Sequence, residues 1–227
     1  MLSTVMVNQQ TSLRAPKSAE QNPRSHEIAL KEISLSRGGH PLFAGINLSI
    51  ISGDLVWIGG DNGIGKSSLL RLMAGLSRAD AGGIYYSRNS LPCKANELIA
   101  YQGHQDAFKP TLTAQEALQF WGAVMDLPAN AASLLAVVGL SDRAHVPCGH
   151  LSAGQKRRLS LARLILSRKP VWIMDEPTAA MDAEGVELIH GLIAAHLTRG
   201  GSAIIASHHA PRISGVRTRQ LILRAAS

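Results

Sequence analysis

The stretch Gly60-Asp61-Asn62-Gly63-Ile64-Gly65-Lys66-Ser67 sets the frame for the whole chain. Before it, Leu55-Val56-Trp57-Ile58 is a continuous apolar run that ends at glycine, as a strand buried on both faces should. After it, Lys66–Gly75 reads as a helix, with Leu69, Leu70, Leu72 and Met73 on its faces and Gly75 as its stop. Strand, glycine loop and helix in this order make a phosphate cradle. The glycines let several backbone N–H groups turn inward, and the helix start adds its positive dipole end. Lys66 supplies a point charge for the β- and γ-phosphates, and the Ser67 hydroxyl suits Mg²⁺, a hard cation that prefers oxygen. The expected ligand is ATP, held by all eight residues from Gly60 to Ser67.

Two stretches further on complete the chemistry. Val171-Trp172-Ile173-Met174 is a second buried run, and it delivers two adjacent carboxylates, Asp175 and Glu176. Asp175 is placed to hold Mg²⁺, and Glu176 to act as the general base on an attacking water. An apolar run ending in Asp-Glu is common by itself; its position after a phosphate loop gives it meaning. Leu151-Ser152-Ala153-Gly154-Gln155 precedes Lys156-Arg157-Arg158 and an apolar helix. Ser152 is a good N-cap, and an exposed serine and glycine at a helix start form an anion site.

Together these residues resemble the nucleotide-binding domain of ABC transporters. Leu151–Gln155 is similar to the LSGGQ signature, with Ala153 for one glycine. Glu176-Pro177-Thr178-Ala179-Ala180-Met181-Asp182 resembles EPTxxLD, which makes Asp182 the D-loop aspartate. Ala206-Ser207-His208 resembles the switch segment, with His209 beside it. The resemblance covers roughly residues 27 to 210. It implies that Gln105 is the Q-loop glutamine, with Gln102 as a nearby alternative, and that Gln105 joins Ser67 and Asp175 at Mg²⁺. His208 would contact the γ-phosphate and align the water with Glu176. Two copies would sandwich ATP head to tail, so Ser152–Gln155 acts in trans. The family's adenine-stacking aromatic is missing; Arg37 stands near its place, leaving ATP-over-GTP preference less fixed.

Within the family, the chain is most similar to the CcmA-type ATP-binding subunits of cytochrome c maturation. The likeness rests on Arg37 before Pro41-Leu42-Phe43, on Gly103-His104-Gln105, on Leu151–Leu164 and on Arg199-Gly200-Gly201. It implies attachment to the cytoplasmic face of a bacterial inner membrane through a CcmB-type subunit, with CcmC as a further associate, and a haem export or haem-chaperone step. Other readings are a transporter ATPase for a lipid or peptide and a soluble ABC ATPase. Residues 114–125, with Phe120 and Trp121, would receive the membrane partner, although core packing would look alike.

The expected architecture is α/β: a P-loop core of ABC type, an antiparallel β subdomain, and an inserted helical subdomain at about 98–166. The domain is expected over 26–227, after a disordered basic tail at 1–25. That tail also resembles a transit peptide, which would point to the mitochondrial inner membrane. The chain has 227 residues, 45% of them hydrophobic and only 4% aromatic, so aliphatic side chains must fill the core. The net charge of +7 suits anionic ligands or an anionic membrane, and no nucleic-acid partner is expected. Cys93 and Cys148 form no CxxC pair and read as structural thiols. No apolar run is long enough to span a bilayer.

Overall fold

The apolar alternation of residues 26–51 folds as two long strands, β1 (His26–Arg37) and β2 (His40–Ile51), joined at Gly38-Gly39. Both turn glycines have positive φ, 57° and 79°, which a tight two-residue hairpin requires. The computed structural model describes residues 25–224. The expectation of a disordered tail therefore lies outside the described residues, apart from Ser25.

Strand β3 (Leu55–Gly59) leads through the glycine loop into α1 (Lys66–Met73). Next come β4 (Ala81–Arg88), the two-residue β5 (Leu91–Pro92), the single turn α2 (Ala95–Leu98) and β6 (Ile99–Gln102). The helical insertion follows as α3 (Ala114–Val124), α4 (Ala131–Val137) and α5 (Ala153–Leu166). The chain closes with β7 (Val171–Asp175), α6 (Ala183–Thr198), β8 (Ser202–Ala206) and β9 (Thr218–Ile222). The inserted helices begin at Ala114, not near residue 98. Ile99–Gln102 is instead a strand of the central sheet, too short for its period to distinguish it from a helix turn.

The strands form two sheets. An antiparallel one runs β2-β1-β4-β5, and a parallel one runs β6-β7-β8-β3-β9. The two faces of the parallel sheet bury different clusters. Trp172 and Met174 of β7 face α5 and α6, whereas Val171 and Ile173 face α1 and the antiparallel sheet. This alternation explains the continuous apolar run: a strand covered on both sides has no solvent face. Pairing is in parallel register, Met174 with Ile205 and Ile58 with Ala206. The carboxyl ends of β6, β7, β8 and β3 therefore open on one edge, where ligands of open α/β sheets bind.

His196 stacks on Trp172 with centroids 3.9 Å apart and planes 8° from parallel, and its Nε2 lies 3.0 Å from the Pro170 carbonyl. Burial lowers its pKa from 6.5 to about 4. Unfolded, this imidazole takes its proton near pH 6.5; folded, it stays neutral until about pH 4. Its contribution to stability is complete above pH 6.5 and is lost as the pH falls toward 4. Thermal unfolding of the full chain and of His196→Leu across this range checks it: the wild-type midpoint falls more steeply with acidification than that of the variant.

Candidate active site

Helix α1 differs from the other long helices at its start. Thr113, Asn130, Ser152 and Asp182 cap α3, α4, α5 and α6 through side-chain oxygens. At α1 the cap is Gly65, with φ 105° and no side-chain hydrogen bond, and the first turn carries no acid. Its leading N–H groups are thus left for an anion. Gly60 admits no side chain: a Cβ there would stand 2.5 Å from the Leu223 carbonyl oxygen. A Cβ on Gly65 would crowd the Phe43 ring and Leu42, so the start of β2 packs against the loop. Arg37, paired with His40 across the hairpin, is exposed at the tip of the same arm. Lys66 is 9% exposed and folds over the loop, with Nζ donating to the carbonyls of Gly60 at 2.6 Å and Asp61 at 2.9 Å. Phosphate oxygens bound to Lys66 compete with these carbonyls.

Two strands away, Asp175 ends β7 at 3% exposure. Among the described residues it has no ion-pair partner. A buried carboxylate without a cation is costly, so its place beside the loop fits a hard divalent ion. Glu176 follows in left-handed backbone, φ 49°, at a cost of about 1–2 kcal/mol. Its N–H donates to the Ala206 carbonyl at 2.8 Å, which pins this turn to the end of β8. The Glu176 carboxylate lies 3.9 Å from His208 Nε2. The structure thus brings together the two residues expected to handle the water.

The signature start is a reciprocal cap. Ser152 Oγ accepts from Gln155 N–H at 3.2 Å, and Gln155 Oε1 accepts from Ser152 N–H at 3.0 Å. The Ser152 hydroxyl hydrogen remains available to an outside acceptor. Leu151 is buried as the anchor of this turn, and Ala153 opens α5. A Cβ on Gly154 would lie 3.1 Å from the Ala180 carbonyl, so the signature and the D-loop touch. Both line a cleft of about 250 Å³. Asp182 caps α6 by accepting from Gly185 N–H at 2.8 Å, and Arg158 lies 3.4 Å from its Oδ1. This face is remote in sequence from Lys66.

Gln105 is exposed in the loop after β6, while Gln102 is buried inside β6 with both amide atoms unpartnered. Two positioning groups escaped the sequence reading. Trp57 Nε1 of β3 donates to the Ser207 carbonyl at 3.0 Å and lies 3.2 Å from Ser207 Oγ, immediately before His208. Arg157, one of three successive cations, reaches the loop that carries Gln105. No sequence signal marks either, because their roles lie in contacts across strands and subdomains. Both cysteines are free thiols; burial raises the pKa of Cys148, and no cluster of metal-binding residues surrounds either among the described residues.

The ABC transporter family pattern matches residues 43–179. The chain belongs to the ABC transporter family. A relative from Bradyrhizobium diazoefficiens, "Cytochrome c biogenesis ATP-binding export protein CcmA", is 42% identical over 86% of this chain and 96% of its own length. Its namesake from Albidiferax ferrireducens is 38% identical over 87% of this chain and 97% of its own length. The fold is shared with a solved structure described as a dimeric, post-hydrolysis state of the ATP-binding cassette MJ0796 bound to ADP and Pi. The TM-score is 0.73 at 23% identity, covering 86% of this chain and 94% of that one. The protein is accordingly an ATP-binding and ATP-hydrolysing transporter subunit with a P-loop core. Among the described residues no helix is long and apolar enough to cross a membrane.

Two substitutions separate holding from timing. Lys66→Ala weakens ATP binding at least about tenfold, read by fluorescent-nucleotide titration, because a charge-assisted contact is lost. Trp57→Phe keeps ATP affinity but lowers kcat about fivefold, the equivalent of one hydrogen bond of about 1 kcal/mol at the switch segment.

Proposed function

We propose that the chain is the ATPase subunit of an exporter serving cytochrome c maturation, the role in the printed name of its relatives. The observation that carries this reading is their identity of about 40% over nearly their whole length. The cargo step is haem export or release of a haem chaperone.

ATP sits on Gly60–Ser67, with its phosphates on the α1 N-terminus and Lys66. Arg37, a planar cation at the hairpin tip, stacks on the base. Ser67, Asp175 and Gln105 hold Mg²⁺, which supplies charge neutralisation at the phosphates when bound. Glu176 accepts a proton from the attacking water, and His208 keeps that water and the γ-phosphate aligned. Ser152–Gln155 of a second copy closes over the γ-phosphate, with Asp182 and the D-loop beside it. ATP therefore works as a switch for dimer closure.

The membrane partner is an integral subunit of CcmB type, with CcmC as a further associate, and the chain is peripheral on the cytoplasmic face of the inner membrane. Helix α3 supports this docking: Phe120 is 42% and Val124 58% exposed on a helix that also touches the Q-loop. Trp121 Nε1 donates to the Ala107 carbonyl at 3.0 Å, so a partner seated on α3 bears directly on the loop that senses nucleotide.

Glu176→Gln abolishes ATP turnover while preserving ATP-driven dimerisation, measured by phosphate release and sedimentation; wild-type turnover in this variant removes the general-base assignment. Phe120→Asp leaves the ATPase of the isolated chain unchanged but prevents its recovery with membranes that contain the CcmB-type subunit. Equal recovery with and without that subunit refutes the docking surface.

A further inference from the structure

Side chains of α5 hold the end of β6 and the segment that joins it to the helical insertion. Along α5, residues three apart face this segment in turn. Arg163 donates to the Tyr101 carbonyl at 2.7 Å. Arg157 donates through one terminal nitrogen to the Gly103 carbonyl and through the other to the His104 carbonyl, both at 2.9 Å. Ser160 Oγ donates to Asp106 Oδ1 at 3.1 Å, and Arg157 lies 3.8 Å from the same oxygen.

Arg157 is only 6% exposed, so its charge is largely removed from water and met by two carbonyls and Asp106. Charge-assisted bonds of this kind are about twice as strong as neutral ones, and a guanidinium fork fixes direction as well as distance. The three successive cations therefore have separate surroundings. Arg157 faces the Q-loop, Arg158 faces Asp182 of the D-loop, and Lys156 is only half-buried at the surface.

Position gives the bracket its consequence. His104, whose carbonyl Arg157 holds, immediately precedes Gln105. Arg157 itself is on the same helix as Ser152–Gln155, about 7.5 Å along the axis from Ser152 at the usual rise per residue. One guanidinium thus joins the backbone beside Gln105 directly to the helix that Ser152–Gln155 starts. The loop continues to Ala107, which accepts from Trp121, and Arg163 lies 4.7 Å over the Trp121 ring. The partner-facing helix is therefore tied into the same bracket.

We propose that Arg157 is a positioning residue that locks the Gly103–His104 backbone to the signature helix, so that nucleotide contact at Gln105 sets how Ser152–Gln155 seats on the ATP of the second copy. The proposal rests on the two-copy site proposed above. It is tested in the full chain carrying Glu176→Gln, by sedimentation with and without ATP and by titration with trinitrophenyl-ATP. Adding Arg157→Gln weakens ATP-driven dimerisation about tenfold or more while nucleotide affinity stays within about twofold, because the bracket touches no nucleotide. Arg157→Lys, which can hold one carbonyl, falls between, and Arg199→Gln, an exposed control of equal charge change, matches the parent. Hydrogen exchange supplies a readout that mere stability does not move. ATP slows exchange at 103–107 and 152–158 together in the parent, but only at 103–107 in Arg157→Lys. Parent-like dimerisation in Arg157→Gln overturns the proposal. So does loss of nucleotide binding in step with dimerisation, or exchange in Arg157→Lys that remains joint. A parent that never dimerises with ATP removes the two-copy reading itself, and the bracket with it.

Discussion

The site depends on the parallel pairing of β7 with β8 and of β8 with β3. These ladders bring Asp175 level with Ala206 and Ile58 level with Ala206, so three chain segments far apart in sequence leave the sheet at one edge. The phosphate loop, the carboxylate pair and the switch segment are then neighbours without any direct bond among their functional side chains beyond the 3.9 Å approach of Glu176 to His208. Two anchors refine this arrangement. The Glu176 N–H on the Ala206 carbonyl holds a non-glycine residue in left-handed backbone, and Trp57 holds Ser207 from the neighbouring strand. A slip of one register position on either ladder would displace Glu176 from the glycine loop by a strand repeat, about 3.3 Å, and turn alternate side chains to the other face.

The starts of α1 and α5 are built by opposite means. At α1 the helix start is bare: glycine replaces the capping side chain, and the first N–H groups wait for phosphate. At α5 the helix start is closed by the Ser152–Gln155 box, which spends the serine oxygen's acceptance on its own backbone and leaves its hydrogen outward. One helix start offers bare main-chain dipoles; the other offers a preset hydroxyl donor. The +7 charge agrees with both demands, an anionic ligand and an anionic membrane.

The antiparallel sheet and the insertion both serve the parallel core. Phe43 and Leu42 press against Gly65 from one side, fixing the loop and placing the Arg37–His40 hairpin tip beside it. From the other side, α5 reaches the Tyr101–Asp106 segment through Arg157, Ser160 and Arg163. Side chains, not a backbone ladder, join the insertion to the sheet there. Below that junction the insertion shares one continuous core with the face of the parallel sheet that carries Trp172 and Met174.

The phosphate loop, the Asp175-Glu176 strand end and the capped signature were legible in the sequence because each is a local pattern: a glycine spacing, an apolar run with a polar end, a serine three residues before glutamine. Helix α1 followed from its period and its glycine stop for the same reason. Strand β6 was missed because four residues contain no period, and the helical insertion consequently begins at Ala114 instead of about residue 98. Arg37 was noted at its position, but only packing of Phe43 on Gly65 places its hairpin beside the loop. Lys156-Arg157-Arg158 reads from sequence as one basic run, yet burial and distance give its two arginines different partners. The sequence alone therefore determined which chemistry the chain carries, since local backbone patterns encode it. Only the tertiary structure decided which groups act together, because parallel pairing and buried charge join residues that no local spacing connects.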